Sequence, residues 1–247
     1  MIHLQVIATA PDDGLVAQAC GADSIELCSA LELGGLTPSI GLMRAARRLS
    51  SLPIHAMLRP RPGGSVYTEN EFALILEDAA ALVNAGCNGL VCAFVTAAGQ
   101  LDESRCRQLR AQFPEQLLTY HRAFDLLPNP AEAILALRKC GFNGVLTSGR
   151  QATALEGAAA IRALRAQAEG ALVVIAGSGV TPDNARVIAE ATGCTALHGS
   201  FSKYVDDPSL AALPGYRFGT QPERMRVLDG EQVRAARAAL DTVGSTR

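Results

Sequence analysis

Eight short apolar runs, each followed by a helical pattern, predict a single-domain α/β protein, a (β/α)8 barrel spanning residues 1–247. Three observations carry that prediction. The chain has 247 residues, about the length at which one such barrel closes. Strand-like and helix-like segments alternate from end to end, the signature of parallel strands joined by crossover helices. No Gly-x-Gly-x-x-Gly fingerprint is present, which weighs against a doubly wound open sheet.

Ile2 to Ala8 reads as the first strand, and Pro11 begins a helix carrying Leu15, Val16 and Ala19 that closes near Gly21. In the second strand, Ser24 to Cys28, Ile25 and Leu27 share one face while Ser24, Glu26 and Cys28 share the other. The loop Leu33 to Ser39 then leads into a helix ending near Arg48. Strand three, His55 to Arg59, sends His55, Met57 and Arg59 one way, and Arg61 continues that face past Pro60. After Gly63-Gly64-Ser65 comes an amphipathic helix with Phe72, Ile75, Leu76, Ala79, Leu82 and Val83 on its apolar face.

Strands four and five are Gly89 to Phe94 and Leu117 to Tyr120, with helices from about Asp102 to Ala111 and Ala131 to Lys139. Alternation puts Thr119 and His121 on one face and Leu118 and Tyr120 on the other. Strand six, Gly144 to Thr147, precedes a helix around Ala158 to Gln167. Strand seven is the fully apolar Leu172 to Ala176, after which Thr181-Pro182-Asp183-Asn184 predicts an N-cap and a proline at the first helical position. Strand eight, Thr195 to His198, is followed by a polar excursion at about 200–228 through Pro208 and Pro214. The last helix, from about Glu231, stacks Val233, Ala236, Leu240 and Val243 on one face.

Composition narrows the function classes. A net charge of −2 with no basic run and no aromatic stripe gives no support to nucleic acid or a membrane surface as partner. No apolar run reaches the length of a membrane span, and the N-terminus has no charged leader, so a soluble, cytoplasmic protein is expected. Cys20, Cys28, Cys87, Cys92, Cys106, Cys140 and Cys194 are odd in number and lack CxxC or CxxH spacing. That argues against a disulfide framework and a structural zinc. The only lysines, Lys139 and Lys203, lie outside the strands, so imine chemistry is poorly supplied. No nucleotide cofactor is expected.

In a barrel of this kind the active site lies at the carboxyl ends of the strands, and the polar residues gather there. Glu26 is a candidate general base, or else the counter-ion of Arg59. His121 is the candidate for proton transfer near neutral pH, with Asp125 as its orienting partner; the plainer alternative is a salt-bridged strand end. Arg59, Arg61 and Arg122 are forked donors suited to a carboxylate or phosphate, or to neutralising Glu26 and Asp125. Ser148-Gly149 after strand six and Gly177-Ser178-Gly179 after strand seven bring backbone N–H groups toward an oxyanion, with His198 beside them. Tight turns alone also favour glycine. Glu26, His121 and His198 form an oxygen/nitrogen set for a metal, and Cys28 offers a thiolate to Cu(I). His3 and His55 lie earlier in their strands and read as structural. The chemistry implied is acid–base work of the isomerase or lyase kind on a small anionic or phosphorylated metabolite.

These residues also carry a family likeness. Gly21 to Cys28, Gly34 to Ser39, Arg59-Pro60-Arg61, His121 to Asp125, Leu146 to Gly149 and Ala176 to Val180 stand in the order found in the CutC family of TIM barrels, which the chain resembles over nearly its whole length. The resemblance implies a copper-homeostasis role with copper, Cu(I), as ligand at Cys28. It also implies a cytoplasmic homo-oligomer, a dimer or higher. The chain departs from the family pattern on strand one, where members often carry glutamate followed by cysteine and this chain has Gln5, Ile7 and Ala8. Cys28 thereby loses nearby thiolate partners.

Overall fold

The computed structural model describes residues 1–168, 170–210, 215 and 224–244. Eight parallel strands close on themselves in chain order, β1 pairing with both β2 and β8. They are β1 (His3–Ala8), β2 (Ser24–Leu27), β3 (Ile54–Met57), β4 (Gly89–Cys92), β5 (Leu117–Tyr120), β6 (Gly144–Thr147), β7 (Val173–Gly177) and β8 (Ala196–Gly199). The ring outside them is α1 (Asp13–Ala19), α2 (Ile40–Leu49), α3 (Glu69–Asn84), α4 (Glu103–Gln112), α5 (Pro130–Lys139), α6 (Ala158–Ala168), α7 (Ala185–Thr192) and α8 (Gly230–Asp241). The predicted barrel is the observed one, and strands five and six match to the residue.

Alternation along the strands divides the core in two. Leu4, Val6, Ile25, Leu27, Ile54 and Leu90 are fully buried between barrel and helices. The residues between them point into the barrel, where two separate apolar clusters form, Cys28 with Met57 and Val91, and Leu146 with Ile175 and Ala196. Local chemistry sets the helix starts. Ser39 accepts from the Leu42 N–H, Thr68 and Glu71 form a reciprocal capping box, and Asn129 precedes Pro130 at the first turn of α5.

The Thr181-Pro182 start is corrected. α7 begins at Ala185, because Asn184 Oδ1 takes the Thr181 N–H at 2.8 Å and turns residues 181–184 into a separate loop. In the excursion after β8, β9 (Ser202–Asp206) pairs antiparallel with β10 (Arg224–Leu228). Residues 211–214, with Pro214, and 216–223 lie outside the described residues. Among the described residues no helix is long and apolar enough to cross a membrane.

Candidate functional site

A cavity of about 930 Å³ opens at the carboxyl ends of the strands, walled by residues of seven barrel strands or their following loops and by the β9–β10 hairpin. Three buried polar atoms on side chains of that wall have no hydrogen-bond partner among the described residues: Oε2 of Glu26, Nε2 of His121 and Nε2 of His198. Their residues are 3, 9 and 6 % exposed. An orphaned buried group costs about 1–3 kcal/mol; Nε2 of His198 faces the other oxygen of Glu26, so Oε2 of Glu26 and Nε2 of His121 are the atoms that mark a place where the fold gives up stability.

Glu26 faces inward because Ile25 and Leu27 on either side are fully buried against the helices. Its Oε1 lies 3.4 Å from Nε2 of His198. Burial works against the carboxylate charge, but the facing imidazoles, His198 foremost, more than offset it and hold Glu26 below its ordinary range. It is the expected counter-ion in kind but not in identity, since Arg59 is not its partner.

His121 takes a different role from the one expected. Its Nδ1 accepts the Ala123 N–H at 3.1 Å, so in the neutral ring the proton sits on Nε2. Burial lowers its pKa to about 4, against the attraction of Glu26. At neutral pH His121 is therefore an uncharged N–H donor facing the cavity, and Glu26 is the group able to accept a proton.

Asp125 does not orient His121. Its carboxylate accepts from the Thr147 hydroxyl, from the N–H groups of Ser148 at 3.1 Å and Arg150 at 3.2 Å, and from Arg122 Nε at 3.2 Å. The loop after β6 was expected to cradle an external anion, and Asp125 fills it from within. Ser148 donates onward to the Gln151 carbonyl at 2.6 Å, and the Gly149 N–H is taken by Thr147 Oγ1 at 2.9 Å. Neither residue lines the cavity. Gly149 instead permits a backbone crossing: a Cβ there would lie 2.5 Å from the Gly157 carbonyl oxygen. Gly177 also stays off the wall, its flank filled by Leu146 Cδ1, whereas Ser178, Gly179, Arg122 and His198 line it.

The two strand-three arginines part company. Arg59 lines the cavity, but its guanidinium clamps loop carbonyls, Leu33 at 2.8 Å, Gly35 at 3.1 Å and Gly63 at 2.7 Å. Arg61 leaves the site. β3 ends at Met57, so alternation no longer governs it, and it pairs with Glu71 at 2.5 Å while lying over the Tyr67 ring. Arg226, which sequence reasoning missed, lines the cavity from β10 with Nε 2.6 Å from Ser202 Oγ and no carboxylate partner among the described residues. Nothing periodic in the excursion after β8 distinguishes it.

Cys28 does not suit copper. Its thiol sits in the apolar cluster with Met57 and Val91, off the cavity wall, and burial raises its pKa, disfavouring the thiolate that a soft ion needs. Among the described residues no three His, Cys, Asp or Glu side chains are placed to hold a metal ion.

The model of the CutC family matches residues 2–203. The chain belongs to the CutC family. A CutC-named protein of Treponema denticola is 37% identical over 218 residues, covering 88% of this chain and 89% of the relative. One from Chromobacterium violaceum is 36% identical over 241 residues, 96% of this chain and 98% of the relative. The crystal structure of a CutC from Streptococcus agalactiae, assigned to copper homeostasis, superposes with a TM-score of 0.77 at 28% identity, covering 81% of this chain and 99% of that one. Phosphoribosylanthranilate isomerase from Thermotoga maritima, at 14% identity and a TM-score of 0.59, shares the barrel alone. For this CutC-family chain, copper homeostasis thus comes with the family name, and the arrangement at the mouth supplies no thiolate for it.

Proposed function

We propose that the barrel mouth binds a small anionic metabolite and moves a proton on it, as an isomerase or lyase does. The observation that carries this reading is the set of three buried, unpartnered polar atoms of Glu26, His121 and His198 on one cavity wall. Glu26, ionised and open at Oε2, accepts the proton, with His198 at 3.4 Å to share it. His121, neutral with its proton on Nε2, donates a hydrogen bond to the oxygen that gains charge as the proton leaves. Arg59, Arg122 and Arg226 supply the positive field that draws an anion in.

The test is a thermal-shift panel of small hydroxy-acids, oxo-acids and sugar phosphates, followed by proton exchange in D2O for any ligand that stabilises the protein. Glu26→Gln should keep binding and lose the exchange. No stabilising ligand, or exchange unchanged in Glu26→Gln, sinks the reading.

Copper handling is the second reading, favoured by the assignment of the Streptococcus agalactiae relative. Equilibration with Cu(I) under reducing conditions decides it: stoichiometric copper lost in Cys28→Ser would support it, and no bound copper would remove it. The proposal places the protein in the cytoplasm as a homo-oligomer, on family likeness. Light scattering of the purified chain tests the assembly.

A further inference from the structure

We propose that the anionic end of the ligand is a tetrahedral oxyanion of phosphoryl type, seated on the turn after β7 against the Arg122 guanidinium. The inference rests on the reading of the mouth above and names the substrate class for it. Two loops at the late strands have the composition to receive an oxyanion. The one after β6 is closed by Asp125, which takes the N–H groups of Ser148 and Arg150. The one after β7 has no such occupant among the described residues. Ser178, Gly179 and Val180 line the cavity, and no acceptor among the described residues takes the N–H of Gly179 or Val180.

The backbone there is held in an uncommon shape. Ser178 and Gly179 follow each other at φ +88° and +67°, and successive residues in this region can turn their N–H groups to one side as an anion-binding concavity. Ser178 is fixed by its Oγ, which donates to the Ala152 carbonyl at 2.8 Å and accepts from Arg122 Nη1 at 3.2 Å. Of the five N–H groups on Arg122, three are spent on Asp125, Ser178 and Ser148. Two remain, on a side chain 44% exposed at the cavity. Two guanidinium N–H groups and two backbone N–H groups along one wall suit an acceptor with three oxygens better than a planar carboxylate. The seat shares its cavity with the reacting groups: His121, nine-tenths buried with Nε2 unpartnered, lines the same cavity as Arg122, Ser178 and Gly179.

Inorganic phosphate is the probe, titrated into the full chain by calorimetry with chloride and acetate at matched ionic strength. Phosphate should bind more tightly than either, and Arg122→Met should weaken it by about tenfold or more, the effect of losing charge-assisted hydrogen bonds. Ser178→Gly should weaken it less while keeping the fold, because glycine accepts the positive φ. Arg61→Met, a cation outside the mouth, should change nothing. Phosphate binding no tighter than acetate, or equal affinity in both Arg122→Met and Ser178→Gly, overturns the seat. If Arg122→Met does not fold, Ser178→Gly decides alone. Glu26→Gln separates this proposal from the proton chemistry: it should bind phosphate as the wild type does, whatever becomes of the exchange reaction.

Discussion

Both ends of this barrel are lined with histidine, but the two ends treat buried polarity in opposite ways. The floor, at the amino ends of the strands, holds a smaller cavity of about 280 Å³ bordered by His3, Gln5, His55, Thr119 and Asn143. Its polar groups are neutral, and His3 and Asn143 are engaged in side-chain hydrogen bonds. His3 Nε2 lies 2.8 Å from Ser24 Oγ, and Asn143 Oδ1 accepts from the Leu118 N–H and from Arg110. Burial lowers the pKa of His3, and of His55 to about 4. Among the described residues, Nδ1 of His55 is the one fully buried polar side-chain atom there without a hydrogen-bond partner. The mouth holds three such atoms, and one belongs to a carboxylate. A polar barrel interior is therefore not in itself a site. What sets the mouth apart is a carboxylate and two imidazoles sharing one wall, each with a buried atom that makes no hydrogen bond among the described residues.

The largest effect expected is structural. Asp125→Ala should cost about 4 kcal/mol in urea unfolding, because it strands Arg122, the Thr147 hydroxyl and two loop N–H groups in a nearly buried position. A loss under about 1 kcal/mol would mean that the β6 loop is open and that the contrast with the β7 loop fails.

Acid comes next. The ordinary histidine pKa is 6.5, and in the fold His55 and His121 are both lowered to about 4. Between those values the unfolded chain binds a proton on each ring and the folded chain does not. Stability is therefore full above pH 6.5 and lost as pH falls, by about 3 kcal/mol per ring across the window. His55→Asn and His121→Asn should each remove one proton from that slope. A slope unchanged in His121→Asn would show the mouth imidazole to be wetter than its burial implies.

A third measurement separates the ends directly. Saturating phosphate should shift the imidazole resonances of His121 by NMR and leave those of His55 in place. Equal shifts at both rings would make the effect global rather than a property of the mouth. The smallest effect is expected at the floor, where Thr119→Val should alter stability by less than about 1 kcal/mol and leave phosphate affinity unchanged. Thr119 lines the floor cavity without any hydrogen bond to a mouth residue.

Much of this was legible because strands have a period of two. Alternation in Ser24 to Cys28 and Leu117 to His121 is enough to send Glu26 and His121 inward, and the carboxyl-end rule then places them at the mouth. The same reasoning failed for Arg61, since it extended a strand face beyond Met57, where β3 ends. It also failed for Asp125. Spacing shows a carboxylate near an imidazole, but its actual partners, Thr147, Ser148 and Arg150, are 22 to 25 residues away in the chain. Arg226 was invisible for a similar reason: only the pairing of β10 with β9 brings it over the cavity.

By itself, then, the sequence determined the barrel, the end of it where the polar residues gather and the family to which the chain belongs. Periodic burial and residue order are local properties, readable along one dimension. Which donors are already spent was decided only by the tertiary structure. A hydrogen bond is settled by distance in space, and here it closed one expected anion loop with Asp125, left the other without an occupant among the described residues, and made His121, expected to transfer a proton, a neutral N–H donor.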